Sequence, residues 1–299
     1  MTRSNSIIEV KNLVKKFGSF TALDGLNLSV KQGEVHGFLG PNGSGKSTTI
    51  RVLLGLLKKT GGEVSLLGKD PWEDAVKLHE DIAYVPGDTS LWPTLSGGEA
   101  IDVLGALRGG INRKKRDEYI KRFQLDPRKK FRTYSKGNRQ KVALVAALSS
   151  DADVFIMDEP TAGLDPLMEA VFQTCVNELK QQGKTVLLSS HILAEVEALC
   201  DRVTIIREGK TVETGTLGEL QHLHRTTIKV EATTKITGLS EQKGVHNLRT
   251  KGNHAEFEVE SDRIDAVLDT LAKQKIKALR SHPPTLEELF LKHYDDGEK

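Results

Sequence analysis

The feature that most constrains the fold is a glycine-rich segment that directly follows a short apolar run. The run VHGFL at Val35–Leu39 is typical of a buried strand, and GPNGSGKST follows it at residues 40–48. The segment matches G-x-x-x-x-G-K-[ST] and precedes a predicted helix, which is the context that a phosphate-binding loop requires. Its glycines let successive N–H groups point into one concavity, and the helix N-terminus adds partial positive charge. The sequence therefore predicts a phosphate site.

This loop predicts separate roles for its polar side chains. Lys46 is expected to reach the β- and γ-phosphates of a nucleotide. The Ser47 hydroxyl is expected to take one coordination position of Mg²⁺, which keeps several waters besides. The residues predicted to bind the nucleotide in this loop are Gly40, Pro41, Asn42, Gly43, Ser44, Gly45, Lys46, Ser47 and Thr48.

Two acidic residues end a second apolar run. Asp158 and Glu159 follow VFIM at residues 154–157. Asp158 suits a magnesium ligand that acts through water, and Glu159 is then placed to orient or deprotonate an attacking water. A helix N-cap alone would not require two acids at the end of an apolar strand.

The alternation of elements predicts an α/β fold. Apolar runs at residues 35–39, 154–157, 185–190 and 202–206 alternate with helical segments, which indicates a largely parallel sheet covered on both faces. In the runs IIEVKNL and LNLSV apolar and polar residues alternate more regularly, which predicts an antiparallel β subdomain beside the parallel sheet. Between about residues 95 and 148 helical patterns take over in a basic insert, which is either a solvated helix face or a face held near anionic lipid headgroups.

The pattern changes again near residue 225, so we predict an ATP-binding type of domain at residues 1–224 and an accessory α+β domain at 225–299. In the second domain TTIKVEA is typical of a strand, and HNLRT and HAEFEVE flank a predicted hairpin turn at residues 251–253. DRIDAVLDTLAKQ and PTLEELFLKHY are predicted helices, and the acidic end at residues 295–298 is predicted to be disordered.

Composition narrows the class of protein. The 299 residues carry 43 Lys+Arg against 41 Asp+Glu, and this near balance does not favour a nucleic-acid partner. Cys175 and Cys200 have no metal-site or disulfide spacing, which favours a reducing cytoplasmic compartment. No run approaches the roughly 18 apolar residues of a membrane span, so any membrane role is expected to need a partner chain.

Three segments together resemble the ATP-binding subunit of an ABC transporter: GPNGSGKST, IMDEPTAGLDP and TVLLSSHILAEVEALCDRVTIIREGK. The resemblance covers about residues 6–222. It implies ATP hydrolysis by a head-to-tail dimer that sandwiches two ATP molecules, formed by this chain with itself or with a paralogous subunit. It also implies a separate polytopic membrane permease as partner and a cytoplasmic location on the inner face of the membrane.

The resemblance also implies a signature motif that faces the partner's ATP, and two segments compete for it. LSGGE at residues 95–99 looks closer to the family pattern. The family's signature lies about 20 residues before the acidic pair, however, and only YSKGN at residues 134–138 stands there. We therefore assign the role to Ser135, Gly137 and Asn138, and interpret LSGGE as the N-cap of a helix in the insert.

Three further residues match family positions. Phe17 lies where an aromatic ring stacks on adenine, although a core phenylalanine is the alternative. Asp165 matches the D-loop acid that crosses the dimer. His191 matches the switch histidine that contacts the γ-phosphate and Glu159, against the alternative of a structural histidine.

Gly87 departs from the family. The family places Gln after the Pro of this segment, where it touches Mg²⁺ and the attacking water, and here YVPGD has Gly87 instead. Either Asp88 or water substitutes, or the coupling to the partner differs. Because Pro-Gly is a strong turn signal, we expect a positive φ at Gly87.

YSKGN, YVPGD and the PPTLEELFLKHY ending together suggest export of a drug, antibiotic or lipid-like compound. The alternatives are an import subunit, or a soluble ABC-type ATPase that acts on ribosomes or DNA. The ribosomal kind generally carries two cassettes per chain, and the DNA-acting kind is split by a coiled coil; neither feature is found here.

Overall fold

The computed structural model describes residues 6–222, 225–234, 236–260 and 263–282. The chain divides into two compact units, Met1–Thr214 and Gly215–Lys299. The domain boundary predicted from the sequence follows residue 224, ten residues after the boundary between these units.

The first unit is built from the following elements. Its strands are β1 (Ser6–Phe17), β2 (Phe20–Lys31), β3 (Val35–Leu39), β4 (Gly61–Leu66), β5 (Ile82–Val85), β6 (Val154–Asp158), β7 (Thr185–Ser190), β8 (Arg202–Arg207) and β9 (Lys210–Thr216), the last of which ends beyond the boundary. Its helices are α1 (Lys46–Leu53), α2 (Ala75–Asp81), α3 (Gly97–Leu107), α4 (Arg113–Arg122), α5 (Lys136–Leu148), α6 (Pro166–Gln181) and α7 (Leu193–Leu199).

The central sheet has the order β5-β6-β7-β3-β8-β9. The pairs β5–β6, β6–β7, β7–β3 and β3–β8 are parallel, as the apolar runs predicted. Strands β3, β6 and β7 are buried along their whole length, because helices cover both faces of such a sheet. The carboxyl ends of these neighbouring strands therefore meet at one edge, which is where ligands bind in open α/β sheets.

The predicted antiparallel part is a second sheet with the order β2-β1-β4. Strands β1 and β2 form a long hairpin whose register ends with Phe17 opposite Phe20. Leu13 and Leu28 of this hairpin share one buried apolar cluster with Phe38 of β3 and Ile50 of α1. The hairpin is thereby held against the strand and helix that flank the glycine-rich loop.

The insert consists of α3, α4, a short 3-10 turn at Phe131–Thr133 and α5. Five of its basic side chains form ion pairs with nearby carboxylates, which supports the solvated-face alternative. Arg122 forms two hydrogen bonds of 2.7 and 2.8 Å with Glu178 of α6, which links the insert to the central sheet's covering helix. The pairs are Lys115–Asp151, Arg116–Asp102, Arg122–Glu178, Arg128–Asp126 and Lys130–Glu99.

The second unit has α8 (Leu217–His222), β10 (Thr226–Ala232), β11 (Val245–Lys251), β12 (His254–Val259), α9 (Ile264–Ala272) and β13 (Ile276–His282). Its antiparallel sheet has the order β11-β12-β10-β13 and its own apolar cluster. The predicted strand, hairpin and first amphipathic helix are all present. The predicted helix PTLEELFLKHY and the acidic end lie outside the described residues. None of the helices in the described ranges is long and apolar enough to cross a membrane.

Candidate functional site

The glycine-rich loop leaves β3 at the carboxyl edge of the central sheet and leads into α1. Helix α1 begins after Gly45, whose φ of 109° lies in the left-handed region that favours glycine. The Ser44 hydroxyl is buried and has no hydrogen-bond partner. An orphaned hydroxyl inside a loop of N–H donors fits a phosphate oxygen as its partner.

Lys46 lies almost fully buried in this loop, with 5% of its surface exposed. Its Nζ donates to the carbonyls of Gly40 at 2.6 Å and Pro41 at 3.1 Å, and lies 3.8 Å from Glu159 Oε1. Burial lowers the pKa of Lys46, while the charges of Glu159 and Asp158 act in the opposite direction. The ammonium is therefore held between the loop and the two acids, where a phosphate would be next to it.

Asp158 and Glu159 sit at the carboxyl end of β6. Asp158 is buried, and its Oδ1 accepts a hydrogen bond of 2.6 Å from the Ser189 hydroxyl on the neighbouring strand β7. Glu159 has a φ of 47°, which is uncommon and strained for a residue with a side chain. Strained backbone persists where the surrounding structure requires it, and it clusters at functional sites. Here it places Glu159 beside Lys46 and His191.

His191 follows β7 on the next strand of the sheet. Its Nδ1 lies 3.1 Å from Glu159 Oε1, and about half of the side chain, 48%, is exposed. The fold thus brings together Lys46, Glu159 and His191. Lys46 is more than a hundred residues away from the other two in the sequence. This cluster lies beside the glycine-rich loop at the carboxyl edge of the central sheet.

A cavity of about 280 Å³ lies between the glycine-rich loop and the tip of the β1–β2 hairpin. Phe20 and Ala22 of the hairpin contribute to its wall. Phe17 does not, and its ring instead lies 4.9 Å from the Lys15 Nζ. The remaining lining residues are Pro41, Asn42, Gly43, Gly45, Lys46, Ser47, Thr48 and Glu159.

Ser135 and Asn138 lie at the start of α5, where Ser135 is the exposed N-cap and accepts from the Asn138 N–H at 3.3 Å. A Cβ on Gly137 would lie 2.2 Å from the Gly163 carbonyl oxygen, so the residue must be glycine for α5 to approach the loop after β6. That loop ends at Asp165, which is exposed and caps α6 by accepting from the Met168 N–H at 3.0 Å. The proposed signature and the D-loop are therefore neighbours within one chain.

LSGGE forms the N-terminus of α3, as the sequence analysis expected. Ser96 and Glu99 make a reciprocal capping box, in which the Ser96 side chain accepts from the Glu99 N–H and the Glu99 carboxylate accepts from the Ser96 N–H. A Cβ on Gly97 would lie 2.3 Å from the Tyr134 hydroxyl. Capping and close packing thus account for this segment.

The positive φ predicted for Gly87 is wrong, since Gly87 is not among the glycines with φ in that region. The segment does not close a turn of its own, because Gln140 of α5 fastens it on both sides of Gly87. The Gln140 side chain donates to the Pro86 carbonyl at 3.1 Å and accepts from the Thr89 hydroxyl at 2.8 Å. A Cβ on Gly87 would lie 3.1 Å from the Asp158 carbonyl oxygen, so a larger residue would need a small local shift of the backbone.

Phe20, which lines the cavity, and Ser189, which donates to Asp158, were not predicted from the sequence. The hairpin pairing of Phe17 with Phe20 follows from the two-residue turn between them, so the second aromatic could have been noticed. Ser189 stands two positions before His191 in a run that was assigned as a buried strand. A polar residue at the end of an apolar strand was the available signal.

Residues 23–162 match the ABC transporter family, and residues 215–294 match the family described as the C-terminal domain of DrrA1-3-like ATP-binding proteins. The uncharacterized ABC transporter ATP-binding protein YhcH of Bacillus subtilis is 32% identical over 293 residues, 96% of this chain and 95% of YhcH. This chain belongs to the ATP-binding subunits of ABC transporters. It is an ATPase with the cassette fold of that family.

Two further relatives have informative names. The bacitracin transport ATP-binding protein BcrA of Enterococcus faecalis is 32% identical over 222 residues, 73% of this chain and 72% of BcrA. A dimeric structure of a bacterial ABC transporter cassette is 28% identical, with a TM-score of 0.63 over 70% of this chain and 98% of that cassette.

Proposed function

We propose that this ABC-family ATPase closes as an ATP-sandwich homodimer, or with a paralogous subunit, and drives export through a separate polytopic membrane permease. The cluster of Lys46, Glu159 and His191 beside the cavity is the observation that carries the proposal. The name of the similar bacitracin transport protein supports a drug, antibiotic or lipid-like compound as cargo. The subunit would act on the cytoplasmic face of the membrane through its permease.

In this proposal Glu159 is the general base for the attacking water. Its carboxylate is within 3.1 Å of His191, which holds it, and within 3.8 Å of Lys46, which faces the phosphates. Proton transfer to a carboxylate lowers the barrier to hydrolysis when the carboxylate is held within reach of the attacking water. Here His191 and Lys46 fix the orientation of the Glu159 carboxylate. Positioning and charge stabilisation supply most of the catalytic effect in phosphoryl transfer.

The residues present fit Mg²⁺ as a cofactor. Ser47 and Asp158 offer the hard oxygen donors that Mg²⁺ prefers, and Ser189 fixes the orientation of the Asp158 carboxylate. Mg²⁺ typically binds through one or two protein ligands together with waters and phosphates, and Ser47 and Asp158 would supply the protein ligands. When bound, Mg²⁺ would neutralise charge on the phosphates.

The second half of each ATP site would come from the other subunit. Ser135 is exposed at the start of α5, where its hydroxyl and the adjacent helix N-terminus can meet an anion. Gly137 and Asn138 would bring backbone close to the γ-phosphate, and Asp165 would cross the dimer. The dimeric cassette that this chain resembles supports this arrangement.

The test is Glu159→Gln in the purified full-length chain. We expect ATP affinity to be retained and turnover to fall about 10²- to 10⁴-fold, because an amide cannot accept the proton of water. Turnover is measured by phosphate release and dimerisation by size-exclusion chromatography with light scattering, which should show an ATP-bound dimer. Glu63→Gln, an exposed carboxylate on β4, is the matched control and should behave as wild type. Near-normal turnover of Glu159→Gln would remove Glu159 from this role.

A further inference from the structure

Helix α7 carries a buried carboxyl group that the proposed hydrolysis does not use. Glu195 is 6% exposed, and its Oε2 accepts a hydrogen bond of 2.6 Å from the Ser190 hydroxyl. Its Oε1 is also buried and makes no hydrogen bond of good geometry, although the Thr161 hydroxyl is near enough to act on the carboxyl. A carboxyl group that is buried and incompletely satisfied opposes folding, and an apolar residue would pack there at lower cost. Its presence calls for an explanation beyond packing.

The Ser190 hydroxyl connects Glu195 to the backbone on both sides of His191. Ser190 Oγ donates to Glu195 and accepts from the Ile192 N–H at 3.0 Å. The two bonds span His191 and fasten residues 190–192 to α7. The His191 ring is half exposed and lies 3.1 Å from Glu159, so little packing holds it. Its position therefore depends on the backbone that Ser190 and Glu195 hold.

Glu195 also lies beside the loop that carries Glu159. The hydroxyl of buried Thr161, two residues after Glu159, is one of the groups that act on the Glu195 carboxyl. Burial raises the pKa of Glu195, and the hydroxyls of Ser190 and Thr161 oppose that rise. A glutamine at this position would keep an oxygen that can accept from the Ser190 hydroxyl.

We propose that Glu195 is a positioning residue that holds His191 against Glu159 through the Ser190 hydroxyl. The inference rests on the proposed roles of Glu159 and His191. Glu195 does not touch the nucleotide in this scheme. Its effect reaches the reaction through the backbone of residues 190–192.

The test compares Glu195→Ala, Glu195→Gln, Ser190→Ala and the double alanine variant of the full-length chain. We expect Glu195→Ala to lower kcat about 10- to 100-fold with KM for ATP within about twofold, because a small misplacement of a catalytic group is costly to rate. Glu195→Gln should restore kcat to within about threefold, since the amide oxygen still accepts from Ser190. The double variant should be no slower than either single variant, because the two residues act in series.

Glu197→Ala, an exposed glutamate on the same helix, is the matched control and should leave kcat unchanged. Normal kcat in Glu195→Ala, or additive losses in the double variant, would overturn the proposal. If Glu195→Ala does not fold, Ser190→Ala and Glu195→Gln decide it: a slowed Ser190→Ala with an active Glu195→Gln supports the role, and the opposite pattern removes it. Inactive wild type, or an active Glu159→Gln, would instead overturn the proposed function.

Discussion

Phe17 and Phe20 face each other at the tip of the β1–β2 hairpin, and directly opposite residues of a hairpin project on the same side of the sheet. The two rings are 49% and 66% exposed. Only Phe20 contributes to the wall of the cavity. Large exposed aromatic rings beside a phosphate loop are suited to stack on a nucleotide base.

We therefore predict that Phe20→Ala weakens ATP binding by about 1 kcal/mol, roughly fivefold in Kd, because a stacking surface is lost. Binding of inorganic tripolyphosphate, which has no base, should not change. Both are measured by isothermal titration in the Glu159→Gln background, where ATP is not consumed. Phe17→Ala is the matched comparison. A loss of ATP affinity in Phe17→Ala alone would leave Phe17 as the base platform and exclude Phe20.

At the scale of elements, two helices of the insert begin with a serine cap. Helix α3 begins after Ser96 and α5 after Ser135, and both hydroxyls accept from a backbone N–H three residues on. The cap on α3 is completed by Glu99, and the adjacent Gly97 lies against Tyr134, whereas Ser135 is exposed. The two helices thus begin with the same type of cap, but the α3 cap is packed against the protein and the α5 cap is exposed.

Because both caps are serines at helix starts, matched substitutions at Ser96 and Ser135 can decide which of the two segments is the signature motif. Ser135→Arg and Ser96→Arg each remove a cap worth about 1 kcal/mol, so their stability losses should be similar. We expect only Ser135→Arg to abolish the ATP-driven dimer in the Glu159→Gln background, because a long side chain there would block the partner's γ-phosphate. Light scattering and melting temperature are measured on the same samples. The reverse pattern would assign the signature to LSGGE.

At the scale of the whole molecule, each unit has its own apolar cluster, the first around β1–β3 and α1 and the second around β10, β12 and α9. The chemical groups of the proposed site all belong to the first unit. The second unit matches the C-terminal domain found in DrrA1-3-like ATP-binding proteins.

The proposed export function predicts how the chain behaves in cells. It should sediment with membranes only when a permease partner is co-expressed, because the permease supplies the attachment. Carbonate washing should then release it, since polar contacts between subunits do not survive high pH. Membranes without the permease are the control. Stable integration of the chain into those membranes would contradict the proposal.

Local signals in the sequence were enough for much of the fold. The apolar runs at β3, β6, β7 and β8 marked strands because burial on both faces demands continuous apolar residues. LSGGE was interpreted as a helix N-cap, and the two bonds between Ser96 and Glu99 that form this cap span only three residues. Lys46, Asp158 and Glu159 followed from motifs whose spacing is itself local.

Tertiary structure alone decided how distant segments complete the site. Gln140 holds the segment around Gly87 from 51 to 54 residues away, which overrides the turn that Pro-Gly favours locally. Ser189 orients Asp158 across two strands 31 residues apart. The sequence by itself determined which chemical groups the chain carries and which elements bear them. Strand order and packing decided which of these groups are in contact. Such contacts arise from burial and pairing between distant segments, and a single sequence does not show which distant segments pair.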